Sequence, residues 1–211
     1  MTEKIQQYFD LMKDVEENIF TYIEEGNQKS FFNYLNDQKI AENKQIFKSF
    51  LYTLVHISNN YHRTKDIYDK IDTILIKYKV SIQRFYKNSE IFHIFKRNKR
   101  ILLFLIQQKL FSINQGIIDF FFQKKFRQES YIEYFFPEVE TYLPESVKKE
   151  CKNKVKELYE NNLELFNKKR KIGENDDCIS MLIRNDQVID FITYLEKTNI
   201  SPSSVINMSI Y

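Results

Sequence analysis

Between Ile179 and Leu195 the apolar residues fall into two short runs at helical spacing. Ile179, Leu182 and Ile183 share one face at i, i+3 and i+4. Val188, Ile189, Phe191, Ile192 and Leu195 mark a second. Arg184-Asn185-Asp186 separates them, and Asn and Asp both tolerate the left-handed conformation and bond their own backbone. Asp176 or Asp177 is a candidate N-cap for the first run and Asp186 for the second. Gly173 and Pro202 bracket the unit. Phe166–Ser204 is therefore expected to be a helix-turn-helix hairpin. Two helices this short cannot bury their apolar faces alone; they need neighbours stacked against them, as in a solenoid.

The pattern recurs upstream. Tyr22–Ile40, turning near Glu25-Gly26, aligns with Leu182–Ile200 and puts Phe31 on Phe191, Tyr34 on Tyr194, Leu35 on Leu195 and Ile40 on Ile200. Ile94–Ile113 puts Asn98 on Asn185, Ile101 on Val188, Phe104 on Phe191 and Ile113 on Ile200. Each interval between turns is about two units of roughly 35 to 45 residues, the range of two-helix repeats.

The 211 residues include only three Gly, three Pro and a single Ala, Ala41. So few turn formers disfavour an all-β fold and the glycine-rich loops of nucleotide-binding α/β folds. Phe, Tyr and Ile must fill the seams that small residues fill elsewhere. The 32 basic and 29 acidic residues leave a net charge of +3, a balanced solvated surface.

Taken in order, residues 2 to about 25 read as one amphipathic helix with a stripe of Ile5, Tyr8, Phe9, Met12, Val15, Ile19, Tyr22 and Ile23, ended by Gly26. Helices follow over Gln28–Asn36, Glu42 to about Ser58 and Asp66–Tyr78, with Val80–Phe85 a short lead-in to a turn. Ser89 is expected to cap a helix starting at Glu90. Ile117–Phe122 is a dense aromatic run inside a helix from about Asn114 and is expected to be fully buried or at a repeat interface. Pro137 and Pro144 interrupt helices. They place a boundary between an N-terminal helical region, 1–136, and a second region, 137–211, packed with it as one continuous array. Glu145 to about Lys168 reads as one long charged helix facing inward with Val147, Cys151, Val155, Leu158 and Leu165.

No chemistry-bearing constellation emerges, and no catalytic, cofactor or metal residues are assigned. His56, His62 and His93 show no ligand spacing. Cys151 and Cys178 read as small apolar fillers, reduced in a chain whose N-terminus lacks the apolar stretch of a signal peptide. The longest apolar run, Ile101–Ile106, is far too short to span a bilayer. The triplets at Asn199 and Asn207 match the N-glycosylation pattern by chance. The candidate contact residues are basic: Lys96, Arg97, Lys99 and Arg100 in one cluster, Lys168, Lys169, Arg170 and Lys171 in another, with a third at Lys124-Lys125-Phe126-Arg127. Nearby Phe95, Phe126 and Phe166 offer stacking surfaces for bases. The 168–171 run also matches a short nuclear-import pattern.

Two stretches, SEIFHIFKRNKRILLFLIQQ followed by YFFPEV, and RKIGENDDCISMLIRNDQVIDFITYLEKTNISPSSVINMSIY, resemble the N-terminal helical region of divergent ankyrin-repeat proteins of parasitic protists. The resemblance covers roughly residues 85–211. Its most specific parts are Gly173-Glu174-Asn175-Asp176 and Ile183-Arg184-Asn185-Asp186. The Thr-Pro-Leu-His start of an ordinary ankyrin repeat is absent, so the resemblance implies ankyrin-like rather than consensus pairs, with further repeats following Tyr211.

The expectation is thus an all-α, α-solenoid-like irregular array of helical hairpins with ankyrin-like pairs. Its expected role is a cytoplasmic, non-catalytic scaffold for a protein partner, prone to self-association through an uncapped last hairpin. The alternative is nucleic-acid or anionic-surface binding through the basic clusters, which would weaken steeply with salt.

Overall fold

A computed structural model describes residues 2–60, 65–122, 128–159, 162–172, 182 and 187–198. The described residues form no strand; they are helical and joined by short turns. The helices are α1 (Thr2–Glu25), α2 (Gln28–Asp37), α3 (Lys44–Asn60), α4 (Lys65–Lys77), α5 (Lys79–Phe85), α6 (Asn88–Phe95) and α7 (Lys99–Gln107). They continue with α8 (Gln115–Phe121), α9 (Gln128–Tyr134), α10 (Phe136–Val139), α11 (Glu145–Tyr159), α12 (Leu163–Ile172) and α13 (Val188–Thr198). A 3-10 turn, Glu140–Tyr142, follows α10.

Asparagine starts many of these helices. The Oδ1 atoms of Asn27, Asn43, Asn98, Asn114 and Asn162 accept from backbone N–H groups two or three residues on, each satisfying a donor that the first helical turn leaves open. With so little glycine, the left-handed helix stops among the described residues are made in two ways. Gly26 has φ +77° and its N–H returns to Tyr22 O at 2.9 Å. The stops of α2 and α7 instead place a lysine in the left-handed region, Lys39 at φ 53° and Lys109 at φ 57°. Their hydrogen bonds match: Lys39 N to Asn36 O and Ile40 N to Leu35 O, Lys109 N to Ile106 O and Leu110 N to Leu105 O, all between 2.9 and 3.1 Å. Leu35, Ile40, Leu105 and Leu110 are all buried, as this motif's hydrophobic contact requires. The geometry therefore matches Leu110, not Ile113, to Ile40 and Phe104 to Tyr34, shifting the expected alignment by two to three residues.

One apolar core runs from Val15 to Cys151, across the boundary placed at 136/137. Aromatic rings form its seams. Tyr22 stacks on Phe31 at 4.7 Å, and Phe32, Phe47 and Phe50 surround Tyr78. Farther along the chain, Phe92, Phe121, Tyr131 and Phe135 continue the contact chain.

Several expectations need correction. Lys79–Phe85 is a helix, not a turn lead-in. Helix α6 begins at Asn88, where Glu90 accepts from Lys87 N; Ser89 is not its cap. Phe120 is half-buried and Phe122 exposed, because Asp119 turns that side of α8 to solvent. Pro137 and Pro144 stand where one helix gives way to the next, and each begins the one that follows: Pro137 lies in the first turn of α10, and Pro144 O accepts from Lys148 N as α11 starts. The long helix from Glu145 is interrupted at Asn162, whose side chain caps α12, and Phe166 rather than Leu165 is buried there. Ile5 and Phe9 are exposed, so the α1 stripe meets the core from Met12 and is fully buried only from Val15 onward. In α13, Leu195 packs with Phe191 and Tyr194, while Val188, Ile189 and Ile192 face outward. The first helix of that hairpin (apart from Leu182), its turn, Gly173, Pro202, Cys178, His62, both glycosylation triplets and the 124–127 cluster lie outside the described residues.

Candidate functional site

The two basic clusters at 96–100 and 168–171 meet in space. The α6–α7 turn carries the first, and the C-terminal end of α12 carries the second. Asn98 sets the turn: its Oδ1 caps α7 through Ile101 N at 2.8 Å, and its amide donates to Ser58 Oγ and Asn59 Oδ1 at the end of α3, both at 2.9 Å. Asn98 and Ser58 are both buried, so these bonds also satisfy groups that water does not reach.

Arg100, in the first turn of α7, points inward. Its guanidinium pairs with both carboxylate oxygens of Asp72 on α4 and lies 4.5 Å over the Tyr68 ring. Its Nε donates to Lys171 O at 3.2 Å, which supplies a cation to the carbonyl end of α12. Burial pushes the Asp72 carboxyl above its ordinary range, against the opposing pull of Arg100.

Arg170 is buried. It binds Glu138 through two contacts, at 2.6 and 3.1 Å, reaches Tyr134 O at 2.8 Å and Asn167 Oδ1 at 2.6 Å, and stacks 4.9 Å from the Phe166 ring centre. Tyr134 OH donates back to Arg170 O at 2.7 Å. Burial pushes the Tyr134 phenol well up, with Arg170 and Arg100 pulling the other way. Two of the eight basic candidates are thus fasteners between helices. Lys96 lies over the Phe120 ring and Lys99 over Tyr131, while Tyr131 OH donates to Lys96 O. Lys169 is half-buried; Arg97, Lys168 and Lys171 are exposed.

Beside the turn lies an open groove of about 560 Å³ between α3 and α6, lined by Tyr52, Val55, His56, Asn59, His93, Ile94, Lys96 and Arg97. Among the described residues no carboxylate lines it. Asn60 donates to the His56 ring at 3.0 Å, and His93 sits edge-on to Phe120. Sequence spacing hides this grouping because the two histidines belong to different helices. A second hollow of about 430 Å³ includes Asn88, Ser112, Glu138 and Tyr142. There Asn88 and Ser112 bond each other, Glu138 holds Arg170, and Tyr142 OH donates to Ile113 O.

Among the described residues no three His, Cys, Asp or Glu side chains are grouped to hold a metal ion. Cys151 is buried and its thiol pushed up by that burial, then by Glu133 and Glu150, which disfavours the nucleophilic thiolate. No described helix is long and apolar enough to cross a membrane. No family model, curated protein or solved structure matches the chain.

Proposed function

We propose that the chain is a non-catalytic protein-interaction scaffold, an α-solenoid-like array with ankyrin-like helix pairs, resembling the N-terminal part of a divergent ankyrin-repeat protein. The observation that supports this reading is a repeated unit. An asparagine-capped helix, a left-handed lysine stop and a second asparagine cap occur at Asn27–Lys39–Asn43 and again at Asn98–Lys109–Asn114. Repeated local stops and starts of this kind stack helices side by side and present an extended face to a partner. Nucleic-acid binding through the clusters at 96–100 and 168–171 is less favoured, because Arg100 and Arg170 neutralise Asp72 and Glu138 inside the protein.

Capture from a nuclease-treated lysate at low and high salt tests the reading. Defined proteins retained at both salts are expected. Loss of all bound material on nuclease or salt treatment would replace the scaffold with a polyanion binder.

A further inference from the structure

We propose that the groove between α3 and α6 binds a phosphomonoester whose carrier group is aromatic or apolar. The inference is independent of the scaffold reading. His56, His93, Lys96 and Arg97 bring four nitrogen-bearing side chains to one recess, in a protein whose basic and acidic residues are otherwise nearly balanced. Lys48 adds a cation beside the recess, 5.8 Å over the Tyr52 ring.

The neutral polar groups also favour donation. Asn59 Oδ1 accepts from Asn98, which leaves the NH₂ end of Asn59 as the group to offer a ligand. The Lys96 carbonyl, one acceptor on the turn beside the groove, takes the Tyr131 hydroxyl. A recess rich in donors, with no carboxylate among the described residues that line it, suits an acceptor-only dianion, and Arg97 supplies the planar fork that matches phosphate oxygens. Tyr52 gives the same recess an exposed ring on which an organic carrier can lie, over a floor closed by the buried Val55 and Ile94. Inorganic phosphate would satisfy the donors and leave that surface wet.

Such a phosphomonoester can be a free small molecule or a phosphorylated side chain of another protein. Titration calorimetry on the full chain with phenyl phosphate, inorganic phosphate, and a phosphotyrosine peptide with its unphosphorylated counterpart separates these sources. Phenyl phosphate is expected to bind 1:1 and at least about tenfold more tightly than inorganic phosphate. Arg97→Ala and Tyr52→Ala should each weaken it by about fivefold or more, with unchanged helical circular dichroism, while Lys168→Ala, outside the groove, should leave it unaltered. Tighter binding of the phosphopeptide than of phenyl phosphate would identify a protein ligand; equal or weaker binding would identify a small one. Absence of saturable phenyl phosphate binding, or binding that survives Arg97→Ala, would overturn the proposal.

Discussion

The Asn98 side chain joins Ser58 to the start of α7: its amide donates to Ser58 Oγ at 2.9 Å while its carbonyl oxygen accepts from Ile101 N at 2.8 Å. One residue therefore caps a helix and fixes where α3 ends relative to it. Asn98→Ala removes the cap and leaves Ser58 without this donor, at an expected cost of about 2 to 3 kcal/mol. Asn98→Asp keeps the cap oxygen but loses the donor and buries a charge, so it too is destabilised. Urea unfolding followed by circular dichroism measures both.

Arg100 and Asp72 form a largely buried pair, so removing one partner strands the other. Arg100→Met is expected to cost about 3 kcal/mol, and the double change Arg100→Met with Asp72→Leu markedly less, since an apolar pair of similar size avoids the desolvation. Equal losses in the single and double variants would show that the pair contributes only through its bulk.

Tyr78 Oη is buried and has no hydrogen-bond partner among the described residues. Tyr78→Phe is expected to be neutral or stabilising by about 1 kcal/mol, because it removes an unsatisfied hydroxyl and keeps the ring among Phe32, Phe47 and Phe50. A thermal melt decides the sign.

The same tyrosine contributes to alkaline unfolding. Burial pushes the phenols of Tyr78, Tyr86 and Tyr131 up to about 12, whereas in the unfolded chain they ionise near 10. A folded value raised above the unfolded one gives stability that is complete below about pH 10 and lost as pH climbs through about 12. Unfolding free energies across that window should fall more gently in Tyr78→Phe than in the parent.

Much of this architecture is legible in the sequence wherever a signal is local. Gly26 stops α1 and Asn98 starts α7 because a cap is decided within four residues. The break at Asn162 is not legible, since the charged helical period runs straight through it. Nor is the role of Arg100 and Arg170: a basic run reads as solvated surface until Asp72 and Glu138, from distant helices, fold against it. The groove residues His56 and His93 are hidden for the same reason. They share a recess only because α3 and α6 pack together, beside the turn where Asn98 meets Ser58. Periodicity also overstated burial in α13, where Ile189 is 80% exposed.

Lys39 and Lys109 occupy backbone conformations that cost a residue with a Cβ about 1 kcal/mol or more. Lys39→Gly and Lys109→Gly should each stabilise the fold by about 0.5 to 1 kcal/mol, less the extra freedom that glycine gives the unfolded chain. A lower urea midpoint in either variant would mean that the lysine side chain contributes more than its backbone costs.

The outward side of α13 places Val188, Ile189 and Ile192 together. Ile189→Glu should leave folding stability within about 0.5 kcal/mol while reducing self-association of the parent chain, measured by sedimentation at high micromolar concentration. A monomeric parent at that concentration would refute the association.

Arg100 finds its partners at different times. Asp72 precedes it in the chain, so that ion pair can close on a nascent chain soon after α7 leaves the ribosome. The Lys171 carbonyl comes only after α8 to α11 have been made. Throughout that interval the α7 surface that receives α12 stands open, and once α9 has been made Tyr134 lacks the helix end it will bond. A polypeptide stalled between these points carries a half-fastened clasp and an uncovered aromatic seam, the kind of surface that chaperones hold until synthesis resumes.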